Sequence, residues 1–146
     1  MQSKENKEQC FCTLSSASEL EKIRNFVSDC ARKFGFDDKI SYTIALAVDE
    51  ACSNLIKYAF KMENNKEIQV KIKATINNFF EISISDEAEP FDPLQISSPN
   101  MTEYFKSFRK GGLGIHIMKL IMDDISYIPR SDKNKWNTLI LKKQLS

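Results

Sequence analysis

The chain has 146 residues, 42% of them hydrophobic and 28% charged, a composition that suits one globular domain with a core of its own. Its 21 basic residues nearly balance 20 acidic ones, which speaks against a general nucleic-acid binder with its strong basic excess. No apolar run reaches the ~20 residues of a membrane-spanning helix and the polar opening Met1 to Gln9 is unlike a secretory signal, so a cytoplasmic protein with no membrane partner is expected.

Residues 1–9 read as a flexible tail, followed by a short strand from Cys10 to Leu14. Ser16 and Glu19 have capping-box spacing ahead of Leu20, Ile23, Val27, Cys30 and Phe34, which share one helical face, and Gly35 ends that helix. Asp37 caps a second helix, with an apolar stripe of Ile40, Ile44, Ala47, Val48, Ala51 and Leu55 running to about Phe60. Glu50 and Asn54, four residues apart, are neighbours beside that stripe. A carboxylate beside a carboxamide can hold a metal or a water; the same pair also reads as an ordinary half-exposed helix edge. The four cysteines, Cys10, Cys12, Cys30 and Cys52, form no Cys-x-x-Cys pair and lie far from the single His116. They are read as small core residues rather than a zinc site.

From Ile68 to Ile76, apolar residues alternate with Gln69, Lys71, Lys73 and Thr75, the pattern of a strand with one buried face. Asn77 and Asn78 suit a hairpin turn, and the return strand puts Phe80, Ile82 and Ile84 inward with Glu81, Ser83 and Ser85 outward. Continuing that parity turns Asp86 inward, where a carboxylate needs protein donors or a ligand. Pro90 and Pro93 stop the strand, and residues 94–110 read as a loop with a short helical turn near Glu103 to Phe108.

Three of the four glycines, Gly111, Gly112 and Gly114, lie where this loop meets a helix whose stripe is Leu113, Ile117, Leu120 and Ile121. Bare N–H groups and the dipole there favour an anion by roughly 0.3 to 1 kcal/mol, with Arg109 and Lys110 beside them; an ordinary glycine turn fits the same residues. Two closing strands follow, near Ile125 to Pro129 and Trp136 to Lys142.

Taken together, Glu50-Ala51-Cys52-Ser53-Asn54, Asp86 with Pro90-Phe91-Asp92-Pro93, and Arg109-Lys110-Gly111-Gly112-Leu113-Gly114-Ile115 resemble the three ATP-binding boxes of the GHKL superfamily. Within it the chain is most similar to the stand-alone anti-sigma factor serine/threonine kinases. The resemblance spans nearly the whole chain and implies a single Bergerat-type α/β domain over residues 1–146. That domain is a two-layer sandwich, a mixed, mainly antiparallel sheet with helices on one face and a lid over residues 92–110. It implies ATP and Mg²⁺ as cofactors. Glu50 would be the general base and Asn54 the Mg²⁺ ligand, and Asp86, beside Ala88, would accept from the adenine amine. Gly111, Gly112, Leu113 and Gly114 would lie against the phosphates, and Arg109 would stabilise the transferred γ-phosphoryl.

The implied protein substrate is an anti-sigma factor antagonist and the implied second partner a sigma factor, through which transcription is regulated without direct nucleic-acid contact; a homodimer stays open. A non-catalytic, ATP-gated binding module and a detached ATPase domain of another signalling system are the alternatives. Ala88 stands where these proteins usually carry a glycine, and Tyr58 where a histidine is common. There is no Gly-x-x-x-x-Gly-Lys motif, which sets aside the P-loop fold. His116, inside the glycine-box helix, is not placed to be the phosphoacceptor of a histidine kinase.

Overall fold

The computed structural model describes residues 8–60, 65–75, 77–88 and 118–145. Period-two alternation builds its centre. In β2, Glu67–Ala74, the side chains of Ile68, Val70 and Ile72 are buried, and β3, Phe79–Asp86, brings Ile84, Ile82 and Phe80 opposite Val70, Ile72 and Ala74. The turn between them uses Asn78 at φ 64°, a left-handed conformation that asparagine tolerates, and Thr75 N–H donates to Phe79 O at 3.0 Å. Ile76 lies outside the described residues.

β1, Glu8–Leu14, pairs with β2, so Glu8 and Gln9 belong to a strand rather than to the expected tail. On the other side β5, Asn137–Gln144, pairs with β3, and β4, Asp124–Ile128, pairs with β5, giving the order β1-β2-β3-β5-β4. All four described pairings are antiparallel, in keeping with the mainly antiparallel sheet expected, and none supplies the parallel pair of a mixed one. The reason is topological. The long crossover after β3 returns β4 parallel to it, but the β4–β5 hairpin then inserts β5 between the two, so no parallel pair forms among the described strands.

Two helices, α1 at Leu20–Phe34 and α2 at Asp38–Asn54, cover one face of the sheet and bury Ile23, Val27, Ile44, Val48 and Ala51 against it. Ser16 caps a 3-10 turn ahead of α1, accepting from Ser18 N–H at 3.4 Å. The reciprocal half of the expected capping box is missing, because the Glu19 carboxylate takes a 2.6 Å bond from Thr13 and one from Lys22 at 3.3 Å. Gly35 ends α1 at φ 130°, its N–H shared between the Ala31 and Arg32 carbonyls. Asp37 caps α2 as the sequence predicts, accepting from Ile40 N–H at 2.8 Å. Phe34, Phe36 and Phe80 cluster with ring centroids 5.3 to 5.7 Å apart, tying α1 to β3. No helix among the described residues is long and apolar enough to cross a membrane.

Four expected core positions are corrected. Ile40 is 37% exposed because the buried face of α2 starts from Ser41 and runs through Ile44, Val48 and Ala51. Leu120 is 76% exposed: residues 118–121 are helical, Met118 and Met122 share the inward face four residues apart, and Leu120 falls between them on the outside. Cys10 and Cys12 are exposed, since strand parity with Leu14 turns them away from the helices, whereas Cys30 and Cys52 are buried as expected. Ser85, expected to face outward, is buried, its hydroxyl 3.1 Å from that of Thr138.

Candidate functional site

Asp86 is the last residue of β3, and parity with Ile82 and Ile84 leaves it 3% exposed. Its Oδ1 accepts from Ala88 N–H at 2.9 Å and from Asn137 Nδ2 at 3.0 Å. Among the described residues no donor reaches Oδ2. Burial pushes the carboxyl above the usual aspartate range, while the Asn137 amide, the Ala88 N–H and the Arg130 charge oppose that shift. Ala88 takes no positive φ, the described non-glycine exception being Asn78. Its N–H closes a turn on Asp86, so the backbone here does not need the glycine that related boxes carry.

Asn54 is the last residue of α2, 2% exposed, and among the described residues neither Oδ1 nor Nδ2 has a hydrogen-bond partner. An unsatisfied buried polar group costs about 1 to 3 kcal/mol, so this side chain is kept against the interest of the fold. It shares a pocket with Asp86, whose other walls are Ala51, Leu55, Ile84, Tyr127 and Leu139. The result is an apolar hollow between helix layer and sheet with one carboxylate and one carboxamide in its lining, the chemistry of a site for a flat, partly polar ligand. Directly after Asn54 the helix widens into a π turn, Leu55–Ala59, closed by Phe60 N–H on Leu55 O at 2.8 Å. Such a turn is frequent at functional sites and has no sequence signature. Tyr58 falls in it.

Glu50 lies one turn before Asn54, half-buried, and does not line that pocket. Burial raises its carboxyl above the usual range, the neighbouring Asp49 adds to this, and Lys57 opposes it. Asp49 is itself bonded to Arg24 at 3.1 Å, which straps α2 to α1. Arg109, Gly111, Gly112, Leu113 and Gly114, the lid over 92–110 and His116 lie outside the described residues. The described fold thus brings together Asn54, Asp86 and Ala88 at one end of the sheet, with Glu50 on the adjoining turn.

One residue of the site escapes the sequence reading. Asn137, the register partner of Asp86 and 0% exposed, donates from Nδ2 to Ala88 O at 2.8 Å as well as to Asp86. Its Oδ1 accepts from Arg130 N–H at 2.8 Å, and Arg130 Nη1 reaches Glu87 O at 3.0 Å. The signal was available: parity with Leu139 and Leu141 turns Asn137 inward by the argument that turns Asp86 inward.

Helices on one face of an antiparallel sheet, with an apolar hollow between the layers lined by an orphaned amide and a buried carboxylate, define a two-layer α/β domain with a candidate ligand pocket. The sequence profile of the histidine kinase-like ATPase domain matches residues 14–143, and the chain belongs to that family. The protein named serine-protein kinase RsbW from Bacillus licheniformis is 29% identical over 109 residues, a match covering 70% of this chain and 66% of that one. The serine/threonine-protein kinase BtrW from Bordetella bronchiseptica is 28% identical over 103 residues, covering 70% of each chain. The first of these matches therefore spans just under two thirds of the relative's own length. The histidine kinase domain of a blue-light activated histidine kinase from Erythrobacter litoralis superposes with a TM-score of 0.52 at 11% identity, over 88% of this chain and 60% of that one. That likeness establishes the fold.

Proposed function

We propose that this protein is an ATP-dependent serine/threonine kinase that phosphorylates an anti-sigma factor antagonist and, when free of that antagonist, holds a sigma factor inactive. The observation that carries the nucleotide part is the pair Asn54 and Asp86 lining one apolar hollow, the first with both amide atoms unbonded. The names of the matched relatives, both protein kinases acting on serine or on serine and threonine, support the direction of transfer.

In this reading Asp86 accepts from the adenine amine through Oδ2 and the apolar walls take the ring faces. Asn54 offers a neutral oxygen to Mg²⁺, an ion that prefers oxygen ligands and neutralises phosphate charge when bound. Gly111, Gly112, Leu113 and Gly114 would bind the phosphates, and Arg109 would stabilise the transferred γ-phosphoryl. Glu50 takes the proton of the acceptor hydroxyl. Its raised carboxyl suits that task, since a general base works best with a pKa near the operating pH.

The place of Glu50 beside the hollow rather than in its lining favours a second reading, an ATP-gated module that sequesters its partner without turnover. The deciding experiment is single-turnover transfer from γ-labelled ATP to the partner copurified from the native cell. Label on a serine or threonine of that partner supports the kinase; ATP binding with no label on any bound partner replaces it with the second reading.

A further inference from the structure

We infer that Asn137 sets the purine selectivity of the site, by committing its whole carboxamide so that Asp86 meets a base only as a hydrogen-bond acceptor. The inference rests on the nucleotide reading above. A carboxamide has two N–H donors and one oxygen. Here the donors go to Asp86 Oδ1 at 3.0 Å and Ala88 O at 2.8 Å, and the oxygen takes the Arg130 N–H at 2.8 Å. Turning the amide over would set N–H against N–H at Arg130, and oxygen against both a carboxylate and a carbonyl, so its orientation is fixed by all three neighbours.

Asp86 Oδ1 is then filled by two donors, from Asn137 and Ala88. Oδ2 is the atom left for a ligand. A base that offers an N–H there, the exocyclic amine of adenine, is bonded. A base that offers a carbonyl, the O6 of guanine or hypoxanthine, sets oxygen against oxygen. Without Asn137 the buried carboxyl loses a donor that favours its charged form, and the protonated acid can present its own O–H to a carbonyl. Asn137 is outside the pocket lining, so it acts through Asp86 as a positioning residue.

The test measures ATP and ITP binding by calorimetry on the full chain for wild type, Asn137→Ser and Asn137→Leu, each checked for folding by circular dichroism. ITP differs from ATP in carrying O6 in place of the amine. The wild type should prefer ATP by about tenfold or more, the worth of one hydrogen bond with its reversal. Asn137→Leu should lose about tenfold in ATP affinity with ITP binding unchanged or tighter. Asn137→Ser, which keeps one short donor, should fall between and decides the matter if the leucine variant does not fold. A purely structural role would weaken both nucleotides alike, and a preference that survives in the variants overturns the inference. A wild type that binds both nucleotides without distinguishing them overturns the inference, and one that binds neither overturns the nucleotide reading beneath it instead.

Discussion

At the scale of the residue, two side chains carry opposite demands from fold and site. If Asp86 meets the adenine amine as proposed, Asp86→Asn keeps the shape but presents a weaker acceptor, so ATP affinity should fall by about 1.5 to 3 kcal/mol; calorimetry checks this. Glu50 gives a prediction in which stability and activity part. Its folded carboxyl is raised by burial and by Asp49, so the folded chain holds that proton more tightly than the unfolded chain. The stabilisation is full below the ordinary glutamate pKa of about 4.3 and is lost as pH rises through the folded value. Glu50→Gln has no charge to bury. Its melting temperature should equal that of wild type near pH 4 and exceed it near pH 7.5, and if Glu50 is the base of the proposed kinase, phosphoryl transfer should slow by about 10² to 10⁴.

At the scale of the element, the connection from α1 to α2 is closely packed. Gly35 sits at φ 130°, and a β-carbon there would come within 2.8 Å of a Leu145 methyl group. Gly35→Ala should therefore destabilise by about 1 to 3 kcal/mol in urea unfolding, from backbone strain and displacement of Leu145 together. Loss of less than a few tenths would mean that the connection relaxes. Asp37, two residues on, fixes the start of α2, and the length of that helix decides where Asn54 arrives. The π turn then begins at once, so the site asparagine stands at the junction of two helical pitches.

At the scale of the whole molecule, the site exists only where the two layers face each other. Asn54 comes from the helix layer, Asp86 and Leu139 from the sheet, and the apolar walls between them belong to the same core that stabilises the fold. Asn54→Leu should show what that placement costs. Replacing an orphaned amide by an apolar group of similar size should stabilise the apo protein by about 1 to 3 kcal/mol in denaturant unfolding. The same variant should lose Mg-dependent ATP binding. A variant that is less stable than wild type would mean that the Asn54 amide is satisfied in solution.

The sequence alone determined the main strands and helices, because each rests on local periodicity. The alternation of Ile68, Val70 and Ile72, the caps at Ser16 and Asp37 and the stop at Gly35 all act within a few residues and all appear in the fold. Parity alone turned Asp86 inward, and the order of the three boxes named the family. Pairing across distance was left to the tertiary structure. Which strand lies beside β3, and so that Asn137 faces Asp86, depends on the β4–β5 hairpin inserting itself. The phase of the last helical turn, which buries Met118 and Met122 and exposes Leu120, depends on what it packs against. That the Asn54 amide ends without a partner among the described residues follows from the groups packed around it, and no local pattern holds that information.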